Sequence, residues 1–287
     1  TLRLMSHGYV PSEIANEIEF PPSLARLWHL RGYYGSLKHN IRGIYAYYLG
    51  WYDGNPATLD SLPPRDLARR TLEYMGGVEA VLTRARADYA MGDYRWVVHI
   101  LDQVIWAEPE NMAARELAAA AHTQMGYGSE NPTWRNAYLS AANELRAGLP
   151  KGDKNHRVLR DVLKGMSPLL LMNSLSIRLN GPKAAGLAFT INWCIAGTDE
   201  SCHSELSNAV LNNREGLDPH AILSITLPRE MLSDFSLGHI TSEGIQGPDV
   251  MFEGDKTVLS SLADLLDMFP AWFPIATHDL KYGEANL

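Results

Sequence analysis

One stretch of this chain gathers side chains suited to chemistry. The run Tyr33-Tyr34-Gly35-Ser36-Leu37-Lys38-His39-Asn40, followed by Tyr45, Tyr47, Tyr48, Trp51 and Tyr52, crowds aromatics with polar tips around a single imidazole. Tyrosine hydroxyls and imidazole N–H groups are apt donors to the oxygens of a sulfate or phosphate. The plainer reading of the same residues is a helix that packs its aromatics at an interface. Other chemistry is not assembled by spacing. The ten histidines, at 7, 29, 39, 99, 122, 156, 203, 220, 239 and 278, form no H-x-H, H-x-x-x-H or H-x-x-E-H pattern, so no metal ligands are expected in this chain. There is no G-x-G-x-x-G, P-loop or G-x-S-x-G motif, and no pair of carboxylates stands out as an acid/base dyad. Cys194 and Cys202, spaced C-x7-C, read as reduced thiols in or near a core. Taken alone, the chain looks like an accessory or binding piece, with no catalytic residue firmly assigned.

The elements around His39 read as helical. Ser12 caps a short helix through Glu17, Pro21-Pro22 ends an extended link, and Ser23 starts a helix to about Leu30. After the break Arg31-Gly32-Tyr33-Tyr34-Gly35, a helix runs from about Ser36 to Leu49 and stops at Gly50. Asp53-Gly54-Asn55-Pro56 is a turn, and Pro63-Pro64 opens a helix that Gly76-Gly77 closes. Residues 78–148 form the clearest helical block, Ala-rich segments punctuated at Gly92-Asp93-Tyr94, Pro109-Glu110-Asn111 and Gly126-Tyr127-Gly128. The spacing Gly92…Val97…Val104…Pro109 resembles half of a tetratricopeptide unit, but one and a half repeats are too few for a free-standing array. The block must lean on a neighbouring domain or a second subunit.

Lys151-Gly152-Asp153-Lys154-Asn155 is a candidate boundary, with a helix at Pro168–Leu179 beyond it. From Gly186 the apolar period becomes 2: Phe189, Ile191, Trp193 and Ile195 mark a half-buried strand. Residues 203–211 read as a second strand ending at the turn Asn212-Asn213-Arg214-Glu215-Gly216, and Ala221, Leu223, Ile225 and Leu227 as a third. Pro228 opens a helix, 249–253 is a short strand, and Gly254-Asp255 leads into a final helix to about Met268. Helices, mainly antiparallel strands, then helices make an α+β domain. Its strand face either closes a core or lines an apolar pocket, and Phe189, Ile191, Trp193, Leu223 and Ile225 are candidates for both.

Charge divides the chain in the same place. Of 287 residues, 25 are Lys or Arg and 33 are Asp or Glu, a formal charge of −8. Residues 185–287 hold 4 basic and 15 acidic residues, whereas 1–184 hold 21 and 18. Such a chain lacks the clustered Lys and Arg of a general nucleic-acid binder. No apolar run approaches the roughly 18 residues of a membrane span. The opening Thr1-Leu2-Arg3-Leu4-Met5-Ser6-His7-Gly8 reads as the tail of a helix, and a piece of a longer polypeptide is expected.

The segments Leu4-Met5-Ser6-His7-Gly8-Tyr9, Pro21-Pro22-Ser23-Leu24-Ala25, Arg31-Gly32-Tyr33-Tyr34-Gly35-Ser36, His39-Asn40 and Tyr48-Leu49-Gly50-Trp51-Tyr52-Asp53-Gly54-Asn55-Pro56 resemble the bacterial linear alkylsulfatases of the metallo-β-lactamase superfamily. The likeness continues through Glu73-Tyr74-Met75-Gly76-Gly77, Gly92-Asp93-Tyr94-Arg95-Trp96 and Trp134-Arg135-Asn136. It implies three parts: a di-zinc hydrolase domain, a helical dimerisation domain and a sterol-carrier-protein-2-like domain. This chain then starts after the zinc ligands, and both zinc ions belong to the hydrolase domain that precedes it in the same polypeptide.

The resemblance further implies hydrolysis of alkyl sulfate esters such as dodecyl sulfate, a homodimer, and a periplasmic or secreted bacterial enzyme. His39 and an aromatic, Trp51 or Tyr52, reach the sulfate end of the site. An indole in a tyrosine's place keeps an N–H donor and loses the acceptor. The expected architecture is thus a helical, aromatic-rich segment over 1–76, a tetratricopeptide-like dimerisation domain over 77–150, and a sterol-carrier-like α+β domain over 151–287. The rival readings are a stand-alone dimeric lipid carrier that binds alkyl sulfates or fatty alcohols without catalysis, and a structural oligomerisation module.

Overall fold

The computed structural model describes residues 1–150, 165–269 and 272–278. They form two compact units: one helical, over residues 1–150 and 272–278, the other a mixed α/β unit over 165–269. The expected boundary at Lys151-Gly152-Asp153-Lys154-Asn155 lies outside the described residues.

The helical unit contains α1 (Leu2–Met5), α2 (Pro11–Glu17), α3 (Pro22–Ala25), a 3-10 turn at Trp28–Leu30, α4 (Leu37–Leu49), α5 (Pro56–Leu59) and α6 (Pro64–Tyr74). It continues with α7 (Val78–Ala90), α8 (Tyr94–Ala107), α9 (Met112–Tyr127) and α10 (Pro132–Ala147). Proline opens α2, α3, α5, α6 and α10, where its missing N–H leaves no bond unmade.

Two cores hold this unit. Ile14 and Ala15 of α2 pack on Ile41 and Tyr45 of α4 in a small one. The larger core runs through α6 to α10, around Leu82, Val97, Leu101, Val104 and Leu145, each nearly inaccessible. Burial of such a side chain stabilises by about 1.5–3 kcal/mol. Ala114, Ala118, Ala119 and Ala121 of α9 face this core, and Gly126 lets α10 approach so closely that an added Cβ would sit 2.7 Å from Leu139 Cδ2.

Residues 272–278 lie across the same unit as a strap. Glu144 Oε1 on α10 accepts the backbone N–H groups of Ile275, Ala276 and Thr277 at 3.0, 2.9 and 2.9 Å, and the Thr277 hydroxyl at 2.9 Å. The strap ends at His278, which faces Asp102 and Trp106 of α8.

In the second unit come α11 (Pro168–Ser176), α12 (Gly181–Ala184), β1 (Phe189–Ile195), β2 (Ser201–Ser207), β3 (Val210–Glu215), β4 (Leu223–Leu227), α13 (Arg229–Ser236), β5 (Met251–Gly254) and α14 (Thr257–Asp264). The sheet order is β3-β2-β1-β4-β5. All neighbours are antiparallel except β1 and β4, which run parallel with Ile191 opposite Leu223 and Trp193 opposite Ile225. Ile191, Trp193, Ile195, Ile225 and Leu227 share one core with Leu171, Leu175, Leu232, Phe235 and Leu262 from α11, α13 and α14.

Several local expectations change. Ser12 does not cap α2; the helix starts at Pro11 and Glu13 takes the Val10 N–H at 2.9 Å. The helix expected from Ser23 to Leu30 is two pieces, because Leu27 is extended and interrupts it. Residues 203–211 are not one strand, and Asn212–Glu215 is not a turn. The chain reverses at Asn208 and Ala209, whose φ values of 51° and 61° make a tight two-residue hairpin turn, and Asn212–Glu215 belong to β3. Polar Asn and Arg suit β3 because it is the edge of the sheet. The last helix stops at Asp264, short of Met268.

Candidate functional site

Ser36 starts α4 and fixes His39 in its first turn, its hydroxyl accepting the His39 N–H at 3.1 Å. Gly50, at φ 79°, ends the helix in a conformation other residues rarely adopt. His39 is solvent-exposed on the face away from Ile41 and Tyr45.

Its partner comes from α10. The indole Nε1 of Trp134 donates to His39 Nδ1 at 3.2 Å, with the two rings edge to face, 6.3 Å between centroids. Arg42, one turn further along α4, places its guanidinium 6.0 Å from the Trp134 ring. Asn131 organises this corner. Its Oδ1 caps α10 by accepting the Trp134 N–H at 2.8 Å, and its Nδ2 donates to the Tyr34 carbonyl. One nearly buried amide thus holds both the turn bearing Trp134 and the loop leading to His39. Arg31 and Glu130 add an ion pair between the same two segments.

Beside them lies a cleft of about 840 Å³ lined by His29, Arg31, Lys38, Asn40, Asn131 and Trp134 among others. His39 does not line it, and meets it through Trp134. The cleft carries cations and carboxylates together: Glu130 pairs with Arg31, Lys38 donates to Asn16 Oδ1 at 2.8 Å, and Glu19 also lines it.

Trp51 and Tyr52 are not brought to His39. They follow the other end of α4, about 15 Å along the helix axis at 1.5 Å per residue. They lie against each other, 5.6 Å between centroids, and Trp51 is 77% exposed. Of the apolar candidates in the second unit, Ile191, Trp193, Leu223 and Ile225 have no exposed surface and pack in the core, while Phe189 is half-buried at its margin. Trp193 Nε1 donates to Ser204 Oγ at 3.0 Å, which donates to Asn213 Oδ1 at 2.6 Å. Cys194 and Cys202 are free; burial pushes the Cys202 thiol up to about 12, with Cys194 adding to the shift. Among the described residues no group of three or more His, Cys, Asp or Glu is placed to hold a metal ion. No helix among them is long and apolar enough to cross a membrane.

Local patterning singled out His39 and missed Trp134 and Asn131, 95 and 92 residues away along the chain. The Asn131-Pro132 helix-start signal was available to find the cap.

The comparisons with known proteins agree across the chain. The family model for alkyl sulfatase dimerisation matches residues 10–148, and that for the alkyl sulfatase C-terminal domain matches residues 157–278. A linear primary-alkylsulfatase of Pseudomonas sp. is 41% identical over 279 residues, spanning 96% of this chain and 41% of the relative. An alkyl/aryl-sulfatase of Saccharomyces cerevisiae is 40% identical over 276 residues, spanning 96% and 42%. The solved stereoselective inverting sec-alkylsulfatase of Pseudomonas sp. superposes with a TM-score of 0.86 at 38% identity, covering 96% of this chain and 44% of that one. The chain spans about two-fifths of the length of these relatives.

Proposed function

This chain belongs to the alkylsulfatase family, and from that membership we propose that it is the dimerising and C-terminal part of an enzyme that splits alkyl sulfate esters. The reaction is ROSO3⁻ + H2O → ROH + HSO4⁻. The observation that carries the reading is that both domain types of this family occur here in order and together span nearly all of the chain.

The helical unit supplies the dimer contact, and the partner is a second copy of the chain. His39 faces the sulfate, beside a cleft furnished with Arg31, Lys38 and Asn40. One sulfate cannot touch both ends of α4, so the pair of exposed Trp51 and half-buried Tyr52 is assigned to the alkyl chain instead. The two zinc ions and the water they activate belong to the hydrolase domain expected outside this chain. When bound there, the ions supply a hydroxide nucleophile at neutral pH. No residue described here is assigned to them.

The test is sulfate release from dodecyl sulfate by the full-length protein that carries this chain. Release is expected, and H39A is expected to lower kcat/KM by about 10²-fold or more while the protein stays dimeric. No release refutes the activity, and unchanged kinetics in H39A refute the assignment of His39.

A further inference from the structure

Trp134 is, we infer, a positioning residue for His39: its indole N–H locks the imidazole into the tautomer that carries its proton on Nε2. An indole nitrogen can only donate. Nε1 has a hydrogen to give and no lone pair to offer. Its contact to His39 Nδ1 at 3.2 Å therefore requires Nδ1 to be bare. In the neutral ring the remaining proton is then on Nε2, which points away from Trp134 as a fixed donor.

The surrounding residues make this a built arrangement. The Ser36 hydroxyl holds the backbone of His39 and the Asn131 side chain holds the backbone of Trp134, so the two rings are presented from capped helix starts. Asn131 also binds the Tyr34 carbonyl, tying the loop before α4 to the start of α10. Arg42 over the face of the indole draws electron density from the ring and makes its N–H a stronger donor. The edge-to-face angle of 67° aims the indole edge at the imidazole.

The consequence is chemical. An imidazole pinned in this way presents a hydrogen bond to a sulfate-ester oxygen without first taking up a proton, so the donor is in place before charge develops. The inference rests on the proposal that His39 faces the sulfate, and the experiment separates the two.

The chain is labelled with ¹⁵N-histidine, and H39A identifies the His39 ring signals. Wild type is expected to show a bare Nδ1 and a protonated Nε2. W134F keeps an aromatic ring and loses the N–H. It is expected to shift His39 to a mixture of tautomers while circular dichroism stays unchanged. A proton on Nδ1 in wild type, or the same tautomer in W134F, overturns the inference. Inorganic sulfate is then titrated into the labelled full-length wild-type protein. A saturable response of the Nε2 signal supports the sulfate-facing role. No response overturns that role, whatever the tautomer result.

Discussion

His278 Nε2 donates to Asp102 Oδ1 at 2.7 Å while its ring lies flat on Trp106, centroids 3.8 Å apart. The residue holds a left-handed backbone, φ 51°, uncommon outside glycine, and Arg65 donates to its carbonyl at 3.4 Å. Such a conformation persists only where its surroundings over-determine it. H278A is expected to lower unfolding stability by about 1–3 kcal/mol, read by urea denaturation, and to change the fluorescence of Trp106.

Glu144 binds the strap more firmly. One oxygen takes three backbone N–H groups and a hydroxyl, so E144A strands four donors. E144Q keeps an acceptor and loses the charge. We expect losses of about 2–3 kcal/mol for E144A and roughly half for E144Q. Limited proteolysis near residue 275 should quicken in the same order.

His122 gives the helical unit an acid limit. Burial lowers its pKa from 6.5, only partly opposed by the charge of Asp102, and its Nδ1 is buried without a partner. The folded state holds a proton less readily than the unfolded chain. The stability this contributes is present above pH 6.5 and is lost as pH falls through the lowered value. Melting points measured below pH 6.5 should therefore fall less steeply in H122F than in wild type.

Cys202 sets the opposite limit. Its thiol is raised from 9.0 to about 12, so the contribution is full below pH 9.0 and is lost as pH climbs toward 12. Under native conditions at neutral pH, a thiol reagent should modify the half-buried Cys194 and leave Cys202 untouched until the protein unfolds. Equal labelling of both native thiols would contradict the buried placement.

Gly254, the last residue of β5, packs against the backbone of Ile222 and Leu223 where β4 begins. A Cβ there would lie 2.1 Å from the Ile222 carbonyl oxygen, on a backbone with φ 105°. G254A is expected to cost about 2 kcal/mol or more and to unpair β5 first, visible as faster amide exchange at Phe252 and Glu253.

Local chemistry made much of this legible. Ser36, Gly50 and the apolar positions 41 and 45 mark α4, and with it His39, because caps and helical periodicity act within a few residues. The alternation of Phe189, Ile191, Trp193 and Ile195 marks β1 for the same reason. The hairpin at Asn208-Ala209 was hidden because alanine rarely takes a positive φ, whereas the Asn-rich Asn212–Glu215 looked more like a turn than the strand did. The parallel pairing of β1 with β4 joins residues 32 positions apart, and nothing in either strand records its neighbour's direction. Trp134 meets His39, and Glu144 meets Thr277, at separations of 95 and 133 residues, far beyond any periodic signal.

The helical unit is written in two pieces, residues 1–150 and 272–278, with the α/β unit between them. On the ribosome, Glu144 emerges more than 130 residues before the donors it will hold. At about 5–20 residues per second, the nascent bundle waits on the order of 10 s with this carboxylate held only by water. A chain stopped before residue 275 is therefore expected to leave Glu144 without the three backbone N–H groups and the hydroxyl that join the strap to α10.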